Sequence, residues 1–163
     1  MKAIDPILEE LDREAKTTRR VLERIPPDNL AWKPHPKSKP IGELAWHVAT
    51  IPKRIATFAQ HDEADVLSLK ASPMPATTAE ILAGFDQHVA EARHLLAQIE
   101  DQALARQTTI RRGDLVLFSA PKSEILRGML LNHGYHHRGQ LTVYLRLLDI
   151  PVPSVYGPTA DES

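Results

Sequence analysis

Apolar residues recur at helical spacing in four stretches of the chain. In the first, Ile4, Ile7, Leu8, Leu11, Ala15, Thr18, Leu22 and Ile25 share one face. Asp5 reads as its N-cap and Pro6 as its first helical position, and Pro26 and Pro27 end it. A proline-rich loop over residues 32–40 follows. The second stretch starts near Pro40 and runs to about Gln60, with Leu44, His47, Ile51, Ile55 and Phe58 on one face. Pro52 lies inside it, which predicts a kink or a local break. Residues 61–75 carry no clear pattern and read as a loop with one short turn.

A capping box, Thr77 with Glu80, opens the third helix, whose core face is Ile81, Leu82, Phe85, Val89, Ala92, Leu96 and Ile99. Two β-prone runs then flank Arg111–Asp114 and predict a small hairpin. The fourth helix begins near Pro121 and reaches about Leu148, and residues 150–163 form an extended tail. The pattern predicts one all-α domain over residues 1–163, a four-helix bundle with a small hairpin between helices 3 and 4.

Composition narrows the function classes. With 20 basic and 21 acidic residues the net charge is -1, so the chain lacks the basic excess of a nucleic-acid binder. It has no cysteine, which excludes disulfides and thiolate-type zinc sites. No apolar run approaches a membrane span, and the amphipathic, acid-bearing N-terminus is not a signal peptide. A cytoplasmic protein without membrane or nucleic-acid partners is expected.

Eight histidines without cysteine make metal binding the chemistry to test. On a helical wheel with His133 at zero, His137 lies at about +40°, and both fall in the middle of the stripe formed by Leu126, Met129, Leu130, Leu141, Tyr144 and Leu148. Residues four apart on one face can reach a single ion. His47, on the apolar face of the second helix, supplies a third ligand from another element. Three neutral imidazoles leave coordination positions open for water or substrate. Burying them without an ion would leave ring nitrogens unsatisfied, at about 1–3 kcal/mol each. His88 and His136 flank core stripes and read as structural or partner-contact residues, His94 as solvated, and His35 and His61 as loop residues. Glu91 with His94 forms one E-x-x-H, but it faces away from the core, and a di-iron bundle needs two such motifs. Glu43, one turn before His47, is the best acid–base candidate.

The run HGYHHRGQ at 133–140, followed by LTVYLR, resembles the C-terminal signature of the DinB-like metalloenzyme superfamily. IGELAWHVATIP, which contains His47, resembles that family's second-helix motif, and the tail VPSVYGPTADE is similar to the ending of some members. The resemblance implies an up-down-down-up bundle, a homodimer, and one divalent metal ion held by His47, His133 and His137. Zinc, nickel, iron and manganese are not distinguished by such a ligand set. Characterised relatives include transferases and isomerases that use a low-molecular-weight thiol, so the resemblance implies a small-molecule substrate and a metal-dependent, thiol-using transferase. The alternatives are a non-catalytic, metal-stabilised stress-response or binding module and a metal-dependent hydrolase. Around the signature, Arg138 faces away from the ligands, toward a salt bridge or dimer contact; Gly139 permits close helix approach; Gln140 can bond a ligand nitrogen; Tyr144 is a candidate cavity wall. Leu131, Tyr135 and Leu145 lie off the metal stripe and predict apolar surface for a dimer.

Overall fold

The structure, a computed structural model, describes residues 2–68 and 73–163. It is mostly helical, with a small three-stranded sheet. In chain order the elements are α1 (Asp5–Glu23), α2 (Ile41–Ala59), β1 (Glu63–Asp65), α3 (Thr78–Ala97), α4 (Asp101–Leu104), β2 (Gln107–Arg112), β3 (Leu115–Pro121), α5 (Lys122–Ile125), a π-helical turn (Leu126–Asn132) and α6 (His133–Leu147). The expected fourth helix is therefore a composite of α5, the π turn and α6.

Helix starts follow local chemistry. At α3 the Thr77 hydroxyl accepts from the Glu80 N–H, and the Glu80 carboxylate accepts from the N–H groups of Thr77 and Ala76. The expected cap at Asp5 is one residue off. Ile4 is the N-cap of α1, and the Asp5 carboxylate reaches back to the Lys2 N–H at 2.6 Å. α2 continues through Pro52 without the expected break. α6 ends with Asp149 at φ 57; the Ile150 N–H bonds the Leu145 carbonyl and the Asp149 N–H bonds that of Arg146, a Schellman motif built without glycine.

The predicted hairpin is present. Arg112 pairs with Leu115 across the two-residue turn Gly113–Asp114, in which only Gly113 has positive φ (60°), the pattern of a type II′ turn. The unpatterned stretch after α2 holds a strand where a loop was expected; its residues 69–72 lie outside the described residues. β1 pairs in parallel with β2. Glu-Ala-Asp has no strand propensity, so tertiary contacts create this element. The Asp65 carboxylate accepts from the Gly113 N–H, and the buried Lys122 ammonium bonds the His61 carbonyl, the Thr108 hydroxyl and the Asp62 carboxylate.

The buried apolar residues form two groups. One joins Ile4, Ile7 and Leu11 to Ile51, Ile55, Leu96, Leu126, Leu130 and Leu131. The other joins Val21, Leu22 and Ile25 to Ile41, Leu44, Ile81, Phe85, Leu141 and Leu145. Between them lies a cavity of about 40 Å³, lined by Leu11, Ile51 and Leu130 from the first group and Val48 and Phe85 from the second. Glu14, which also lines it, is buried against Arg138. Leu131 and Leu145, expected on a dimer surface, are 2% and 0% exposed, and the Tyr135 hydroxyl donates to Glu10. The large apolar side chains left exposed include Leu115, Val116, Leu117 and Phe118 on the edge strand β3.

The tail packs back on the helices. Glu162 pairs with Arg20 and Arg24, Asp161 pairs with Arg146, and the Tyr156 hydroxyl donates to Glu14. Among the described residues no helix is long and apolar enough to cross a membrane.

Two glycines distinguish close packing from open surface. A Cβ on Gly84 would sit 2.6 Å from the Trp46 ring, where α2 and α3 meet, whereas a Cβ on Gly139 meets nothing within 4 Å. Gly139 therefore does not permit the close helix approach expected of it. We predict opposite signs in thermal or denaturant unfolding. Gly139→Ala gains up to about 1 kcal/mol from helix propensity. Gly84→Ala loses stability despite the same gain, because overpacking costs about 1–3 kcal/mol, and it changes Trp46 emission. Equal shifts for the two would contradict this packing.

Candidate metal centre

The geometry of the fourth helical run decides where its histidines point. In the π turn the His133 N–H bonds the Gly128 carbonyl, five residues back rather than four. The wider turn changes the phase between Leu126–Leu131 and α6, so a single wheel through residues 126–148 fails. Within α6 the buried side chains are Arg138, Leu141 and Leu145. That stripe is centred roughly 110° from His133 and 70° from His137. The two histidines thus lie at the edge of the core face, half-buried, rather than in its middle. His47 is half-buried too, at the edge of the buried face of α2 that includes Leu44, Val48, Ile51 and Ile55.

α2 and α6 run antiparallel along this seam, as the contacts Tyr144–Lys39 and His137–His47 require. Here the structure brings together His47, His133 and His137, with ligand atoms within 4.8 Å of one another. The Nε2 atoms of His47 and His133 are 3.4 Å apart, and those of His133 and His137 are 2.7 Å apart. Tetrahedral ligation at about 2.0–2.1 Å per bond would separate ligand nitrogens by roughly 3.3–3.4 Å. The first pair fits as it stands; the second fits after opening by roughly 0.6–0.7 Å.

The outer hydrogen bonds prepare the same nitrogens. His137 Nδ1 lies 2.7 Å from Gln140 Oε1. Donation there places the ring proton on Nδ1 and leaves the Nε2 lone pair facing His133, the role expected of Gln140. His133 Nδ1 is buried and makes no hydrogen bond of regular geometry; the Met129 carbonyl is the acceptor it addresses. In the tautomer that carries both ring protons on Nδ1, two Nε2 lone pairs face each other at 2.7 Å. A cation between them relieves that repulsion, so the donor set fits a divalent metal.

Electrostatics keep the three rings neutral. Burial, then the neighbouring His137 and His133, push the His47 pKa down to about 4. Burial is the first cause of the lowered His133 and His137 values as well, and Gln140 partly opposes it at His137. Lys39 lowers His47 and His137, and Arg54 lowers His47 and His133, so two cations border the site. Neutral imidazole is the form that binds metal.

The remaining histidines lie elsewhere. His88 is buried under Trp46 and bonds the Ala49 carbonyl at 3.0 Å, a structural role as expected. His136 is exposed, and its ring stacks edge-on to His137 at 4.9 Å. His94 contacts Gln98, and the Glu91 of its motif pairs with Lys53, which leaves the E-x-x-H outside any metal cluster. Glu43 is exposed, 3.9 Å from Lys39, and is not part of the histidine cluster. Arg138 faces away from the ligands as predicted, and its ion pair is internal, with Glu14 at 2.8 Å. Sequence reasoning missed Arg54, although its position two turns after His47 puts it on the same face of α2. Tyr144 packs edge-on to Trp32 at 5.8 Å and closes the other end of the seam.

Comparison with known proteins identifies the family and the fold. The protein YrdA of Bacillus subtilis (strain 168) is 26% identical over 165 residues, covering 99% of this chain and 92% of that one. A DinB-like protein from Bacillus cereus ATCC 10987 superposes with a TM-score of 0.72 at 25% identity, over 92% of this chain and 95% of that one. The DinB-like protein YjoA of Bacillus subtilis superposes with a TM-score of 0.74 at 19% identity, over 98% and 100% of the two chains, a likeness of fold alone. The profile of the DinB family matches residues 1–163, so this chain belongs to the DinB family.

Proposed function

We propose that this protein holds one divalent metal ion through His47, His133 and His137 and uses it as a transferase acting with a low-molecular-weight thiol. The observation that carries the reading is the convergence of three neutral Nε2 atoms, one of them oriented by Gln140. A bound ion would lower the pKa of a coordinated thiol or water. The protein's own part is to hold that ion on three imidazoles at a half-buried edge of the core, which leaves the solvent side for ligands. The histidine cluster contains no carboxylate. A reaction whose nucleophile needs no general base from the protein suits such a site, which favours thiol transfer over base-assisted hydrolysis. Turnover of an ester or amide with no thiol present would instead support the metal-dependent hydrolase. Metal binding with neither activity would leave the non-catalytic module.

We further read residues 1–163 as one cytoplasmic domain, its four long helical runs in the family's up-down-down-up order. We also propose a homodimer. The apolar run Leu115–Phe118 on the edge of the sheet supports it in place of Leu131 and Leu145. Leu117→Lys shifts sedimentation at micromolar concentration toward monomer if that edge is the contact; an unchanged profile sinks the idea.

Elemental analysis tests the metal directly. Wild type is expected to carry about one zinc, nickel, iron or manganese ion per chain after loading, and His133→Ala none. A metal-free wild type after loading would remove the enzyme reading. pH adds a signed check on the metal-free protein. Folded His47 titrates near 4 against an ordinary value of 6.5. Between these the unfolded chain binds more protons, so stability falls as pH drops from 6.5 toward 4. His47→Gln flattens that slope; an identical slope would contradict the assignment.

A further inference from the structure

Arg54 is the cation in this protein that local contacts explain least. It is half-buried on α2, and its guanidinium lies 5.9 Å from the Phe58 ring centroid. Among the described residues it makes no ion pair and no hydrogen bond, and its guanidinium nitrogens, which are not among the buried unpartnered atoms, face solvent without a protein acceptor. Among the described residues, the other arginines and lysines without a carboxylate partner, Lys2, Lys16, Lys33, Lys37, Arg106 and Arg112, are all exposed. A solvent-facing guanidinium with no protein acceptor is free to pair with an anion from outside the chain.

Its position suggests what that is. Arg54 is seven residues after His47, about 10 Å along the same face of α2. Lys39 precedes His47 by eight residues, and its backbone carbonyl is held by the Tyr144 hydroxyl across the seam. Its own carboxylate neighbour, Glu43, is 3.9 Å away and exposed, a weak restraint on a flexible ammonium. Along α2, then, His47 lies between two cations, Lys39 just before the helix and Arg54 two turns on, and His133 opens α6 opposite it. The effect of both cations on the imidazoles shows that they share one electrostatic neighbourhood.

We propose that this seam is an anion-binding groove, in which Arg54 and, at the other end, Lys39 hold carboxylates of a small-molecule ligand whose donor atom reaches the histidine-held metal. The inference rests on the metal reading and adds the charge of the ligand to it. Arg54 is the stronger element, because a guanidinium pairs with a carboxylate in bidentate geometry.

Calorimetric titration of the full chain separates the two readings. Mercaptosuccinate is compared with 2-mercaptoethanol on zinc-loaded protein, and succinate is titrated into metal-free protein. Wild type is expected to bind mercaptosuccinate at least about tenfold more tightly than mercaptoethanol. Arg54→Gln removes most of that preference and leaves mercaptoethanol unchanged, Arg54→Lys restores part of it, and Lys16→Gln, at an exposed site, changes neither. Succinate binding to the metal-free form is weak and is lost in Arg54→Gln. Equal affinity for the two thiols, or an equal loss for both in Arg54→Gln, overturns the groove while leaving the metal reading intact. Failure to load zinc overturns the metal reading, and the succinate arm then decides the groove alone.

Discussion

A buried ion pair sets the rotation of α6, and the convergence of the three histidines depends on that rotation. Arg138 is 1% exposed and donates to the Glu14 carboxylate at 2.8 Å, to the Glu14 carbonyl and to the Thr18 hydroxyl. Tyr135 and Tyr156 stack on its guanidinium, 5.2 and 5.0 Å from their ring centroids. A guanidinium this far from water cannot turn away from its partners without a penalty of several kcal/mol. With Arg138 locked toward α1, the geometry of α6 carries His133 and His137 round to α2. The neighbouring residues 137 and 138, about 100° apart, thus face two different helices.

The π turn adjusts the same run from its other end. It lets Leu126, Leu130 and Leu131 pack into the first core group, with Ile4, Ile51 and Ile55, while the histidines keep the edge position. A regular helix would have to choose between burying those leucines and presenting the imidazoles to His47. The C-terminal tail completes the arrangement by sealing Tyr156 over the ion pair, held by Glu162 on α1 and Asp161 on α6. A half-buried edge suits the chemistry: enough desolvation to keep the imidazoles neutral, and enough solvent contact for a ligand to enter.

Much of this was legible in the sequence. Helical periodicity located α1, α2 and α3, the capping box marked the start of α3, and the β-prone runs around Gly113 marked the hairpin. The i, i+4 histidines and His47 identified the three side chains that meet. What escaped shares one cause, dependence on tertiary contacts. β1 exists because β2 and Lys122 are beside it, not because Glu-Ala-Asp favours a strand. The π turn has no local signature, so the wheel drawn through it placed the histidines too deep and the leucines at 131 and 145 on the surface. Arg138 does face away from the histidine cluster, as read, but a charged residue in the core cannot be recognised until Glu14, 124 residues earlier, is seen to meet it.

The most direct test is X-ray absorption of the zinc-loaded protein beside its His47→Ala variant. Three imidazoles at about 2.0–2.1 Å in wild type, with one fewer in the variant, is the predicted result. Two or fewer imidazoles in wild type, or an unchanged spectrum in His47→Ala, would contradict a centre built across the α2–α6 seam.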